Sequence, residues 1–175
     1  AYLKAYYPLQ FMSALLTFEM GDTDKVVEYI DEARQMGIDV LPPDINSSDW
    51  SFTPDGDGIR FGLGAVKNVG QGAVEAIIAA RKDVGKFKTI FQLCEVVDVS
   101  VLNRRVVESL VRAGAMDSLE GTRAQIFTAV EGAMESGQRA WKDRQTGQTG
   151  LFGGGFDDEE AAEQPLPNVP DWTQQ

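Results

Sequence analysis

Three observations predict a mainly α-helical protein, built of small helical domains with tandem helix-hairpin-helix units, one short β-hairpin and a disordered C-terminal tail. Apolar residues recur at helical spacing through most of residues 1–37 and 64–144. Residues 50–63 instead alternate at strand spacing around Asp55-Gly56-Asp57-Gly58, and beyond Arg144 the chain turns to Gly, Pro and acidic residues.

The elements follow in order. Tyr2, Leu3, Tyr6 and Tyr7 predict a helix over 1–7, Pro8 interrupts it, and Leu9, Phe11, Met12, Leu15 and Leu16 predict a second over 9–19. Asp22 or Thr23 caps a third, carrying Val26, Val27, Tyr29, Ile30, Ala33 and Met36, and Gly37 supplies its left-handed stop. Pro42-Pro43 cannot continue a helix, and Asn46-Ser47-Ser48-Asp49 reads as a turn. Trp50 and Phe52, then Ile59, Phe61 and Leu63, form a hairpin about the Asp-Gly turn. That aspartate-rich loop lacks the remaining ligand positions of a calcium-binding hand.

Two short helices joined by a tight turn fit residues 64–84. Thr89 caps a short helix through Phe91, Leu93 and Val96; Leu102, Val106, Val107, Leu110 and Val111 mark another that ends at Gly114; a long helix runs from Arg123 to about Arg144. The expected organisation is 1–58, 59–146 and a flexible acidic segment over 147–175, which has too little apolar surface to offset its ordering entropy. An element already under way at Ala1 suggests a piece of a longer chain.

Composition limits the chemistry. The 175 residues include one cysteine and no histidine, which removes histidine triads, bases and metal ligands and leaves Cys94 without a disulfide partner. No apolar run approaches the roughly 20 residues of a membrane helix, no signal peptide opens the chain, and a reducing cytoplasm suits it best. The net charge of −11 argues against nucleic acid until it is divided. Residues 1–58 hold 3 basic and 11 acidic groups, 59–146 hold 13 and 10, and 147–175 hold 0 and 6, so a mildly basic middle lies between acidic flanks.

Within that middle, Val69-Gly70-Gln71-Gly72-Ala73-Val74 resembles the helix-hairpin-helix module of DNA-binding proteins. Glycines permit positive φ and close approach of a phosphate to the main chain, while free N–H groups and the helix dipole favour the anion. Lys67 and Arg81 add charge, and Asn68 stands where the module commonly has its first glycine, a residue that tolerates the left-handed conformation. The competing reading is an ordinary tight connection. A second unit, Leu110 to Asp117 with Arg112 and Gly114, lacks paired glycines; its structural reading has Gly114 ending a helix and Asp117 or Ser118 capping the next turn. In the tail, Gln148 is followed closely by Leu151-Phe152, a glutamine and two apolar anchors suited to a partner's pocket, similar to the sliding-clamp-binding peptide of bacterial polymerases.

In order, Ala1-Tyr2-Leu3-Lys4-Ala5-Tyr6-Tyr7-Pro8, Met36-Gly37-Ile38, Leu41-Pro42-Pro43-Asp44-Ile45-Asn46-Ser47, Ile59-Arg60-Phe61-Gly62-Leu63, Lys67-Asn68-Val69-Gly70 and Ala113-Gly114-Ala115-Met116-Asp117 resemble the alpha subunits of bacterial DNA polymerase III, the C-family replicative polymerases. The resemblance implies the end of the fingers domain over 1–58, a helix-hairpin-helix region over 59–146 meeting duplex primer-template DNA, and a clamp-binding peptide at Gln148, Leu151 and Phe152. It also implies a DNA-directed DNA polymerase whose palm aspartates hold two magnesium ions. No stretch here matches that palm, so this segment alone is expected to be inactive, with the clamp and other holoenzyme subunits as partners. A non-enzymatic helix-hairpin-helix accessory protein, the error-prone paralogue and a purely structural helical domain are the alternatives.

Overall fold

The computed structural model describes residues 1–146 and 164–172. Helix α1 (Tyr2–Tyr6) gives way at Tyr7 to α2 (Pro8–Phe18), where Pro8 takes the first helical position and so starts the helix as well as breaking the one before it. Helix α3 (Thr23–Gln35) begins at Asp22, whose carboxylate accepts from the Asp24 and Lys25 amides. It ends at Gly37, φ +78°, with Ile38 N–H reaching back to the Ala33 carbonyl and Gly37 N–H to that of Arg34.

The expected hairpin is present as β2 (Thr53–Asp55) and β3 (Gly58–Arg60), antiparallel with Asp55 opposite Gly58. A third strand, β1 (Val40–Leu41), pairs parallel with β3, giving the order β1-β3-β2. Two residues are too few for periodicity to register, and their pairing depends on a partner nearly twenty positions away.

A single 3₁₀ turn (Leu63–Ala65) leads into α4 (Gln71–Val84), so the first of the two short helices expected here is one tight turn. Then come α5 (Ile90–Val96), capped by Thr89, α6 (Arg104–Arg112), capped by Asn103, and α7 (Arg123–Thr146). At α7, Thr122 and Gln125 exchange side-chain-to-amide bonds, so Thr122 caps this helix.

Buried apolar residues form two clusters. Met12, Leu16, Val26, Ala33, Ile38, Phe52 and Ile59 join α2, α3 and the sheet. A larger cluster runs through α4 to α7, including Val69, Val74, Ile77, Leu93, Leu110 and Val130, and Phe61 packs against both. Three connections are sewn together by Asn46, whose amide pairs with the main chain of Phe87 in both directions and donates to Ser118. Residues 164–172 have neither helix nor strand and touch the larger cluster through Leu166. No helix among the described residues is long and apolar enough to cross a membrane.

Candidate nucleic-acid interface

The turn before α4 is built from its ends. Val66 and Val69 are buried, and Val69 N–H bonds the Val66 carbonyl at 3.2 Å, which pins the hairpin to the core and leaves Lys67, Asn68, Gly70, Gln71 and Gly72 exposed. Asn68 has φ +67°, the one positive value at a non-glycine residue among those described, and its amide donates to Ser109 Oγ on α6 at 3.3 Å. The left-handed position of this hairpin therefore belongs to Asn68. Gly70, with φ −86° and ψ 161°, does not need glycine for its backbone angles. Its value is the missing side chain: a Cβ at Gly70 would meet no atom within 4 Å, and one at Gly72 only Val101 Cγ1 at 3.9 Å.

Gly70 also caps α4 without a side chain, so the amides of the first turn receive no side-chain acceptor. Helices α5, α6 and α7 each have one at their starts. The first-turn N–H groups of α4 thus have no side-chain acceptor at the positive end of a 14-residue helix whose first two residues, Gln71 and Gly72, are exposed. The turn that leads into α4 borders a cleft of about 500 Å³ whose lining includes Pro43, Phe61, Lys67, Asn68, Ser109 and Arg112. Neither Lys67 nor Arg112 makes an ion pair among the described residues, whereas Arg60, Arg81, Arg104 and Arg123 each do. Two free cations, an uncapped helix start and a roomy approach form an arrangement suited to a phosphate diester.

The remaining residues singled out from sequence divide. Arg81 is turned inward, donating to the carbonyls of Ile45 and Ser48 at 3.2 and 2.9 Å and pairing with Asp49. It holds the 45–49 turn on α4 and stands apart from the cleft. Gly114 is buried at φ +79°, with Ala115 N–H bonding the Leu110 carbonyl, and the Arg123–Asp117 pair lies across the face a side chain would occupy. Hydrogen bonding to Asp117 raises the Arg123 pKa further above its already high value. The second unit is thus closed by its own side chains where the first is open. Gln71 directs its side chain to Glu75, leaving its main chain to the helix start.

Ser109 and Phe127 were not singled out by sequence. Ser109 receives Asn68, and the Phe127 ring underlies the Arg112 guanidinium at 5.1 Å. Only the spacing of Ser109 one helical turn before Arg112 could have pointed to it. Gln148, Leu151 and Phe152 lie outside the described residues. Cys94 is buried against Met134, and burial pushes its thiol up to about 12, so it is a packing residue. Among the described residues no three histidine, cysteine, aspartate or glutamate side chains gather to hold a metal ion.

Residues 37–126 match the family model described as the helix-hairpin-helix motif, and the chain belongs to that family. Beyond the motif, it is 42% identical over 172 residues to DNA polymerase III subunit alpha of Vibrio cholerae serotype O1, across 98% of this chain and 15% of that protein. The corresponding subunit of Escherichia coli K12 is 41% identical over 175 residues, and that of Neisseria meningitidis serogroup B is 44% identical over 153 residues. The chain spans about 15% of the length of the first two relatives.

Proposed function

We propose that this chain is the DNA-backbone-gripping segment of a replicative DNA polymerase alpha subunit, and that it tethers the enzyme to its sliding clamp. The observation that carries the reading is the uncapped, open start of α4, preceded by a turn whose Lys67 shares a cleft with Arg112. Main-chain amides bond a phosphate without regard to the base it carries, so binding is sequence-independent and falls with salt as counterions are released. In the whole enzyme, templated synthesis and its magnesium chemistry belong to segments other than this one. Primer-template DNA, the clamp and further holoenzyme subunits are its partners in the cytoplasm.

Titration of duplex DNA across a salt series tests the grip. Lys67→Ala and Arg112→Ala are each expected to lower the slope of log K against log salt by about 0.9, one phosphate contact each. Arg81→Ala is expected to lower thermal stability and leave that slope unchanged, because its guanidinium bonds carbonyls and Asp49 within the fold. A slope unmoved by Lys67→Ala would remove the cleft from the interface.

Tethering rests on Gln148, Leu151 and Phe152 together with the similarity to alpha subunits. Two apolar anchors in a partner's pocket carry most of a short peptide's affinity. Leu151→Ala with Phe152→Ala is expected to weaken capture by the cognate clamp about tenfold or more, measured by surface plasmon resonance, while duplex affinity is retained. Equal clamp binding by the double variant would exclude this peptide.

A further inference from the structure

Residues 164–172 reach the larger helical cluster through the side chains of Leu166 and Trp172. Leu166 packs against the core over Gly121, where even a methyl group would collide with it. Trp172 meets Phe127 edge to face, with centroids 5.4 Å apart and planes at 62°. Among the described residues the backbone hydrogen bonds of this segment are internal, Val169 N–H to the Pro167 carbonyl and Trp172 N–H to the Asp171 carboxylate. Pro165, Pro167 and Pro170 restrict the unbound chain, which lowers the ordering cost of a contact held by two anchors.

Phe127 is the shared member of two contacts. Trp172 packs on it, and the guanidinium of Arg112 lies over it at the lining of the Lys67–Asn68 cleft. Arg112 makes no ion pair among the described residues, and the Phe127 ring is the group on which its guanidinium rests. A long cationic side chain settled on an aromatic face loses less freedom when it meets a phosphate than one left in solvent.

We propose that Trp172, acting through Phe127, positions the Arg112 guanidinium at the cleft, so that residues 164–172 belong to the phosphate-binding unit and are not merely a spacer. This rests on reading the cleft as a phosphate site. Trp172 and Phe127 are positioning residues, and Arg112 is the group that meets the anion.

The test uses the full chain, with two independent readouts. In NMR spectra without DNA, the Arg112 Nε–H proton is expected upfield of an exposed arginine because of the Phe127 ring current. Trp172→Ala should return it toward the exposed position, and Trp172→Phe should retain it. In duplex titrations, Trp172→Ala is expected to weaken binding about fivefold and have no further effect in an Arg112→Ala background. An Arg112 proton unmoved by Trp172→Ala overturns the proposal, as does an equal loss of affinity in the presence and absence of Arg112. Absence of duplex binding by the parent chain would instead retire the phosphate reading, with the Arg112 resonance still deciding the positioning role.

Discussion

A Gly70→Asp chain is expected to be at least as stable as its parent and to bind duplex DNA about a hundredfold more weakly. Gly70 sits at φ −86° and ψ 161°, angles any residue adopts, and a side chain there meets nothing within 4 Å. Aspartate at this position accepts from the second or third helical amide, as Asp22 already does at α3. It thereby consumes the donors that a phosphate needs and places a negative charge where the anion would lie. Two charge-assisted hydrogen bonds at roughly 1.5 kcal/mol each account for the magnitude. Calorimetric melting and a duplex titration at fixed salt read the two effects on the same sample. Loss of affinity together with loss of stability would indicate a damaged fold, and unchanged affinity would remove the α4 start from the interface. Gly72→Asp is a weaker test, since that residue lies inside the first helical turn and near Val101.

Local chemistry was legible and long-range chemistry was not. Asp22, Gly37, Thr89 and Gly114 take the capping roles that their own neighbourhoods dictate, because a cap is decided within four or five residues. Asn68 accepts the left-handed angle for the same reason. The internal partners of Arg81 were not legible, since Ile45, Ser48 and Asp49 lie more than thirty positions earlier. A cation near a glycine turn looks like a phosphate ligand until its partners are known. The Arg123–Asp117 pair is similar: nothing in the spacing shows that it crosses the face of Gly114. Strand β1 is invisible because parallel pairing of two residues leaves no periodicity. In the tail, prolines and acids outweigh Leu166 and Trp172 in composition, yet those two side chains make the contacts.

The same substitution five residues apart on α7 is expected to have opposite signs. Gly132 is exposed, and an added Cβ meets nothing within 4 Å, so Gly132→Ala should stabilise by about 0.5–1 kcal/mol through helix propensity alone. Gly137 is buried at the crossing of α5 and α7, where an added methyl would run into the Cys94 carbonyl, a backbone atom that cannot rotate away. The nearby bonds depend on that close approach. Trp141 Nε1 donates to the Val97 carbonyl at 3.0 Å, Arg144 to the Glu95 carbonyl at 2.8 Å, and Ser136 Oγ to the Glu95 carboxylate at 2.8 Å. Side chains of α7 thereby satisfy carbonyls at the end of α5 that have no partner within their own helix. Parting the helices by even part of an ångström strains these bonds and opens the core around Leu93 and Ala133. Gly137→Ala should therefore cost about 2–3 kcal/mol, in the upper range for overpacking, and lower the melting temperature by several degrees. Equal melting temperatures for the two variants would mean that α5 and α7 do not cross at Gly137.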